Sequence, residues 1–187
     1  MFDLDEFLDE CQQARKETEP RRAIREVLTR TMAQPGEVAD ALRPEEGGVT
    51  MLHHSPELTV LHVVWAPHMD IYPHDHRMWA AIGIYTGQED NVFYRRSGPG
   101  HGALIESGGK ELAEGEVLVL GDDAIHGVVN SQDGLTGAIH VYGGDFVNQP
   151  RSQWGPGPRE ERAYDIEDAY QQFADANRAW RSSAAEG

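Results

Sequence analysis

The stretch Glu57-Leu58-Thr59-Val60-Leu61-His62-Val63-Val64-Trp65 is β-branched and aromatic, and the sequence from Val49 to Phe146 continues in that style. Short runs of this kind alternate with Gly, Asn and Asp, and the helical apolar period is absent, which marks an all-β region. Candidate strands cover residues 49–53, 58–65, 76–85, 92–96, 103–107, 116–120, 124–130 and 137–142. Turns at 87–91, 107–110 and 131–134 give these strands a spacing suited to a compact antiparallel barrel or jelly roll.

Helical periodicity flanks this region on both sides. Leu4, Phe7, Leu8 and Cys11 recur at three- and four-residue steps, as do Ile24, Val27, Leu28 and Met32 after Pro20. A short third helix follows Pro35, with Val38, Ala41 and Leu42 on one side, before Glu45-Glu46-Gly47-Gly48 breaks the chain. Beyond the strands, Gln149 to Arg159 reads as an extended loop. It leads to a helix from about Asp165 with Ile166, Ala169, Tyr170, Phe173 and Trp180 as its buried stripe. Asp165 is the expected N-cap, with Asp168 completing a variant capping box. The expected organisation is a helical extension at 1–48 packed on the barrel, a barrel at 49–148, and a loop with a closing helix at 149–187.

At 187 residues the chain is long enough to bury a core without crosslinks. Its net charge of −16 opposes nucleic acid and anionic membranes alike, so neither is an expected partner. Cys11 is the lone cysteine, which excludes an intrachain disulfide and suits a reducing compartment. The start, Met1-Phe2-Asp3-Leu4-Asp5-Glu6, has neither the basic nor the apolar region of a signal peptide, and a soluble cytoplasmic protein is the expectation. Exposed barrel faces often pair, which leaves a homodimer open, although nothing in the sequence marks an interface.

Chemistry gathers at His74-Asp75-His76 and Asp122-Asp123-Ala124-Ile125-His126. Side chains at i and i+2 of a strand share a face, so His74 and His76 are placed to grip one ion while a distant strand supplies His126. Asp75 then points away as a surface charge, and Trp65 and Trp79 are wall or core. His53, His54, His62, His68 and His101 have no partner pattern and read as structural. Alternation pairs His140 with Tyr142 on one face, opposite Ile139 and Val141, without deciding which face is inner.

The two histidine segments resemble the paired motifs of the cupin superfamily. The first keeps His74-Asp75-His76 and Gly87, with Ala80 where the family's acid would fall. The second keeps Gly115, His126 and Asn130, with Gly121 and Asp123 replacing its proline and glycine. Loss of the acid is similar to the three-histidine thiol dioxygenases typified by cysteine dioxygenase, and Ile139-His140-Val141-Tyr142 resembles the His-x-Tyr strand those enzymes place beside iron. The chain departs from that branch at Ala81, where some members carry a crosslinking cysteine, and at Ala138, where they have serine. It also lacks an arginine on the 57–65 strand. With Ala81 turned inward as in the family, strict alternation from His76 fails, and a bulge near Ala80 is expected.

The resemblance implies a jelly-roll (double-stranded β-helix) barrel holding Fe(II) through His74, His76 and His126, with His140 and Tyr142 in catalytic roles. The implied activity is oxidation of a small thiol, a mercapto acid or aminothiol, to a sulfinate with O2. Arg77, Arg95 and Arg96 are the candidate substrate-binding cations, with Arg151 a further one. A β-diketone-cleaving three-histidine dioxygenase is the nearest alternative. Another is a metal-binding cupin without oxygenase activity, acting as sensor, isomerase or lyase, because imidazole sites also accept Zn, Ni or Mn.

Overall fold

The computed structural model describes residues 1–98, 103–156 and 160–186. Three helices lead the chain: α1 (Leu4–Ala14), α2 (Pro20–Met32) and α3 (Pro35–Leu42). The Asp3 carboxylate accepts from the Glu6 N–H to cap α1, and Pro20 and Pro35 open α2 and α3, where a missing N–H costs nothing. The strands follow as β1 (Gly48–Ser55), β2 (Leu58–Trp65), β3 (Asp70–Asp75), β4 (Ala80–Thr86), β5 (Gln88–Arg96), β6 (Leu104–Ala113), β7 (Val117–Leu120), β8 (Ile125–Val129), β9 (Thr136–Tyr142), β10 (Ser152–Gln153) and β11 (Arg162–Ala163). Helix α4 (Ile166–Glu186) closes the chain.

Strand pairing identifies the fold. β5 pairs with β6, β4 with β7, β3 with β8 and β2 with β9, all antiparallel, so the segment from β2 to β9 is one long hairpin coiled on itself. Coiling distributes it over two sheets, ordered β1-β2-β9-β4-β7 and β11-β10-β3-β8-β5-β6. This nested arrangement is a jelly roll, or double-stranded β-helix, flanked by N-terminal helices and a C-terminal helix.

The inner strands β2, β9 and β4 of the first sheet are covered on both faces and carry no exposed residue. Leu61, Val63, Trp65, Ala80, Ile82, Ile84, Ala138 and Tyr142 join the core between the sheets. The alternate positions Leu58, Val60, Ala81, Tyr85, Ile139 and Val141 pack beneath Phe7, Cys11, Ile24, Leu28, Met32 and Val38 of the leading helices. Burial pushes the Cys11 thiol up to about 12, leaving it an inert packing group. Helix α4 is tied down by Asn177, which exchanges two 2.8 Å hydrogen bonds with the Gly47 backbone, and by Phe173, which stacks on Trp65 at 5.3 Å.

Several expectations are corrected. The predicted strand 76–85 begins only at Ala80, because Arg77 turns the chain in the left-handed region at φ 53°. The separate strand β3 precedes it, hidden in the sequence by Pro73, whose position coincides with a register irregularity against β8. Ala81 stays on the helix-covered face, so the anticipated inward turn does not occur. Residues 88–91 and 107–110, predicted as turns, lie in β5 and β6, where cross-strand pairing overrides their turn-forming composition. Gly108, at φ 148°, takes up the register shift there. Within the predicted loop, β10 is a short buried strand paired with β3 on one side and with the edge strand β11 on the other.

At α4, Asp165 accepts from the Glu167 N–H as an N-cap does. Asp168 instead binds Arg162 and Gln153, and Gln153 accepts the Asp165 N–H, so no capping box forms. Ile166 and Tyr170 are exposed rather than buried. His101 lies outside the described residues.

Candidate metal centre

Antiparallel pairing of β3 with β8 sets His74 directly opposite His126, and the turn after Asp75 swings His76 onto the same spot. The three ring centroids form a near-equilateral triangle, 5.1 Å from His74 to His76, 4.8 Å from His74 to His126 and 4.9 Å from His76 to His126. One ligand atom from each lies within 4.8 Å of the others, and no carboxylate belongs to the group among the described residues. Ala80, at the family's acid position, is fully buried in the core.

Hydrogen bonds set which nitrogens remain free. His74 donates from Nδ1 to the Tyr72 carbonyl at 3.1 Å, and His126 donates from Nδ1 to Asn91 Oδ1 at 2.7 Å. Both Nε2 lone pairs are therefore bare. His76 Nε2 lies 3.3 Å from His126 Nε2. Two nitrogens at roughly 2.0–2.1 Å from one ion are separated by about 2.8–3.4 Å for angles between a right angle and tetrahedral, so this spacing suits a shared cation. His76 Nδ1 is buried with no protein partner. Burial holds the His74 imidazole down at about 4, against the opposing effect of the Tyr72 carbonyl, and Arg151 lowers it further. His76 and His126 are held well below the ordinary value, again chiefly by burial. All three stay neutral near pH 7, the form that ligates metal.

A buried polar chain runs from His126 around the cavity. Asn91 Nδ2 donates to Glu89 Oε1 at 3.0 Å, and Trp65 Nε1 donates to Glu89 Oε2 at 2.7 Å. His140 Nε2 approaches the same oxygen at 3.3 Å, with an angle short of a hydrogen bond. His140 Nδ1 meets the Tyr142 hydroxyl at 3.1 Å, and the Tyr142 ring lies edge-on to His76 at 5.0 Å. Burial raises the Glu89 carboxyl, but His140, Asn91 and Trp65 outweigh it and hold the group below its ordinary range. Burial drives the Tyr142 hydroxyl up, so it remains a proton donor. His140 and Tyr142 thus take the inner face that the sequence left undecided.

The arginines divide. Arg77 contacts Asp75 at 3.3 Å and donates to Ser152 Oγ at 2.9 Å. Arg96 pairs with Glu161 at 2.8 Å and lies over the Trp154 ring, and Arg95 is exposed. Asp75, expected on the surface, is buried, accepting from the Ser152 N–H at 2.6 Å. Its carboxylate anchors the β10 edge and the two arginines away from the histidines. Arg151 is the cation beside the cavity.

Glu89 and Asn91 were hidden because their segment reads as a turn. Their i, i+2 spacing was the available signal, since it puts both on one strand face. Among the other histidines, His62 bonds the Tyr85 hydroxyl at 2.6 Å, while His54 and His68 pair with Asp145 and Asp133.

Two adjoining cavities reach the centre. The inner one, about 60 Å³, is bounded by His74, His126, His140, Tyr142, Trp65 and Phe173. The outer one, about 400 Å³, includes Met51, Phe146, Arg151, Tyr164, Ile166 and Tyr170.

The sequence matches no family model and no curated protein. Among solved structures, the chain is similar to a cupin superfamily protein from Desulfitobacterium hafniense, with 14% identity over 58% of this chain and 88% of the other at a TM-score of 0.46. It is also similar to an uncharacterised double-stranded β-helix protein from Klebsiella pneumoniae, with 18% identity, coverage of 59% and 88%, and a TM-score of 0.43. A variant oxalate decarboxylase from Bacillus subtilis shares 13% identity over 55% of this chain and 26% of its own, with a TM-score of 0.43. No helix among the described residues is long and apolar enough to cross a membrane.

Proposed function

We propose that this protein is a non-haem Fe(II) dioxygenase that oxidises a small thiol to its sulfinate with O2. The observation carrying this reading is the convergence of three neutral, buried imidazoles without a carboxylate in the group, beside an inward-facing His140 and Tyr142. Three neutral ligands add no negative charge, so an anionic thiolate is the natural complement of the site. In the overall change both oxygen atoms add to sulfur, which is oxidised by four electrons while dioxygen is reduced. Iron held there supplies the single-electron steps by which ground-state dioxygen reacts with a closed-shell thiolate.

The chain's own residues hold and orient. Asn91 fixes the His126 tautomer, and Glu89 favours a proton on His140 Nε2, leaving Nδ1 to accept from the Tyr142 hydroxyl. Tyr142 then presents a positioned hydroxyl next to His76, and Trp65, Phe146 and Phe173 form apolar walls of the inner cavity.

Oxygen uptake by the Fe(II)-loaded protein, with sulfinate followed by mass spectrometry, tests this directly on panels of mercapto acids, aminothiols and β-diketones. Sulfinate formation is expected, together with loss of bound metal in His126→Ala. Uptake with diketones alone would replace this reading with carbon–carbon bond cleavage, and metal binding without uptake on any panel would leave a metal-binding module.

A further inference from the structure

Among the described residues, one arginine and no acid line the two cavities beside the histidines. Arg151 is only 7% exposed, and its guanidinium is sandwiched between the rings of Phe146 at 3.9 Å and Tyr164 at 3.8 Å. It donates from Nη1 to the Phe146 carbonyl at 2.6 Å, while Nε is buried with no partner. No Asp or Glu pairs with it among the described residues, unlike Arg77 and Arg96. A guanidinium has five N–H donors, and a buried one without a counter-ion is costly unless an anion arrives.

The surroundings are apolar. The described residues lining the two cavities include no Asp or Glu, so an ammonium group entering there would find no counter-charge. Val49, Leu61, Phe146, Tyr164, Ile166 and Tyr170 border both cavities and form the passage between them. One ring separates the cation from the histidines on each side: Tyr164 lies 6.0 Å from His74, and Phe146 lies 5.8 Å from His76. A ligand joining the two must pass those rings.

We propose that Arg151 anchors the carboxylate of an amine-free organic acid in the outer cavity, with an apolar spacer running past the edges of Phe146 and Tyr164 along Val49, Leu61, Ile166 and Tyr170 so that the far end reaches the three histidines. The inference deepens the dioxygenase reading and rests on it for the chemistry at the far end. The anchor itself is a property of the metal-free chain. It favours a long mercapto acid over an aminothiol or an amino acid, because burial of the stacked guanidinium strengthens a charge-assisted bond while the apolar wall penalises a second charge.

Calorimetry on the metal-free full chain tests this with octanoate, octanamide, octylamine and acetate. Octanoate is expected to bind roughly ten- to a hundred-fold more tightly than octanamide. Octylamine should not bind measurably, and acetate should bind more weakly than octanoate. Arg151→Met should bring octanoate to the level of octanamide, with thermal unfolding reporting whether the variant folds. If it does not fold, the acid-to-amide ratio of the unaltered protein decides alone. Equal binding of acid and amide, or unchanged octanoate affinity in a folded Arg151→Met, would overturn the anchor, and acetate binding as tightly as octanoate would overturn the spacer. Octanoate selectivity in a protein that takes up no metal would instead sink the dioxygenase reading and leave the anchor standing.

Discussion

Asn91 stands between a buried carboxylate and a histidine of the cluster, so its removal acts on the site without touching the open face. Asn91→Ala leaves His126 Nδ1 and Glu89 Oε1 without partners in a dry interior. We expect a loss of about 10–100-fold in metal affinity, measured by chelator competition, with destabilisation of about 1–3 kcal/mol in urea unfolding. Unchanged metal affinity would show that a backbone or water contact orients His126 instead. The histidines also set a pH dependence. Unfolded imidazoles take up protons near pH ~6.5, whereas burial keeps the folded His74 neutral down to about 4 and lowers His76, His126 and His62 as well. Stability of the metal-free protein is therefore full above the unfolded value and falls as acid drives the unfolded chain to bind protons the folded one refuses. A lower urea midpoint at pH ~5 than at pH ~7.5 is the expected result, and an equal one would mean that the cluster protonates in place.

At the scale of elements, the leading helices stabilise the barrel from outside and supply none of its polar site atoms. α2 sets Ile24, Leu28 and Met32 against β4, and Gly83 on that strand has Met32 packed where a Cβ would stand. Leu28 is fully buried, so Leu28→Ala should cost about 2–5 kcal/mol through the cavity it leaves. Metal content of the folded variant should be unchanged, because this contact lies across the first sheet from the histidines. Metal loss at temperatures where the variant remains folded would instead couple α2 to the centre. The elements on the other side have the opposite role. Arg151 just before β10, Tyr164 just after β11 and Phe173 on α4 lie over the cavities, so their outer wall is built partly by chain segments outside the coiled hairpin.

For the whole molecule, the charge of −16 is the dominant long-range term. Like charges on a compact particle repel, and salt screens them over a Debye length that shortens from about 30 Å at 0.01 M to about 8 Å at 0.15 M. The thermal midpoint should rise over that range in monovalent salt by a few degrees, and a fall would show that exposed ion pairs such as Arg22 with Glu19 and Glu26 contribute more than repulsion removes. The same field draws cations toward the surface and slows the approach of anions.

The all-β middle, the helices at both ends and the three histidines as a set are legible in the amino-acid order alone, because they rest on residue type and on periods of two and 3.6 that a chain carries locally. Strand 58–65 was legible to the residue because it is apolar on both faces. β3 was not, since Pro73 and the short polar run after it mask its pattern. Only the tertiary structure decided that Ala81 faces the helices and Tyr142 the cavity, that Asp75 is buried, and that Glu89 and Asn91 complete the polar chain behind His126. It also set Arg151, alone of the four candidate arginines, beside the cavity, since whether a guanidinium meets a carboxylate or an aromatic ring depends on which distant segments the fold brings beside it. Local periodicity specifies a face, but what lies opposite that face is set by the coiling of the hairpin.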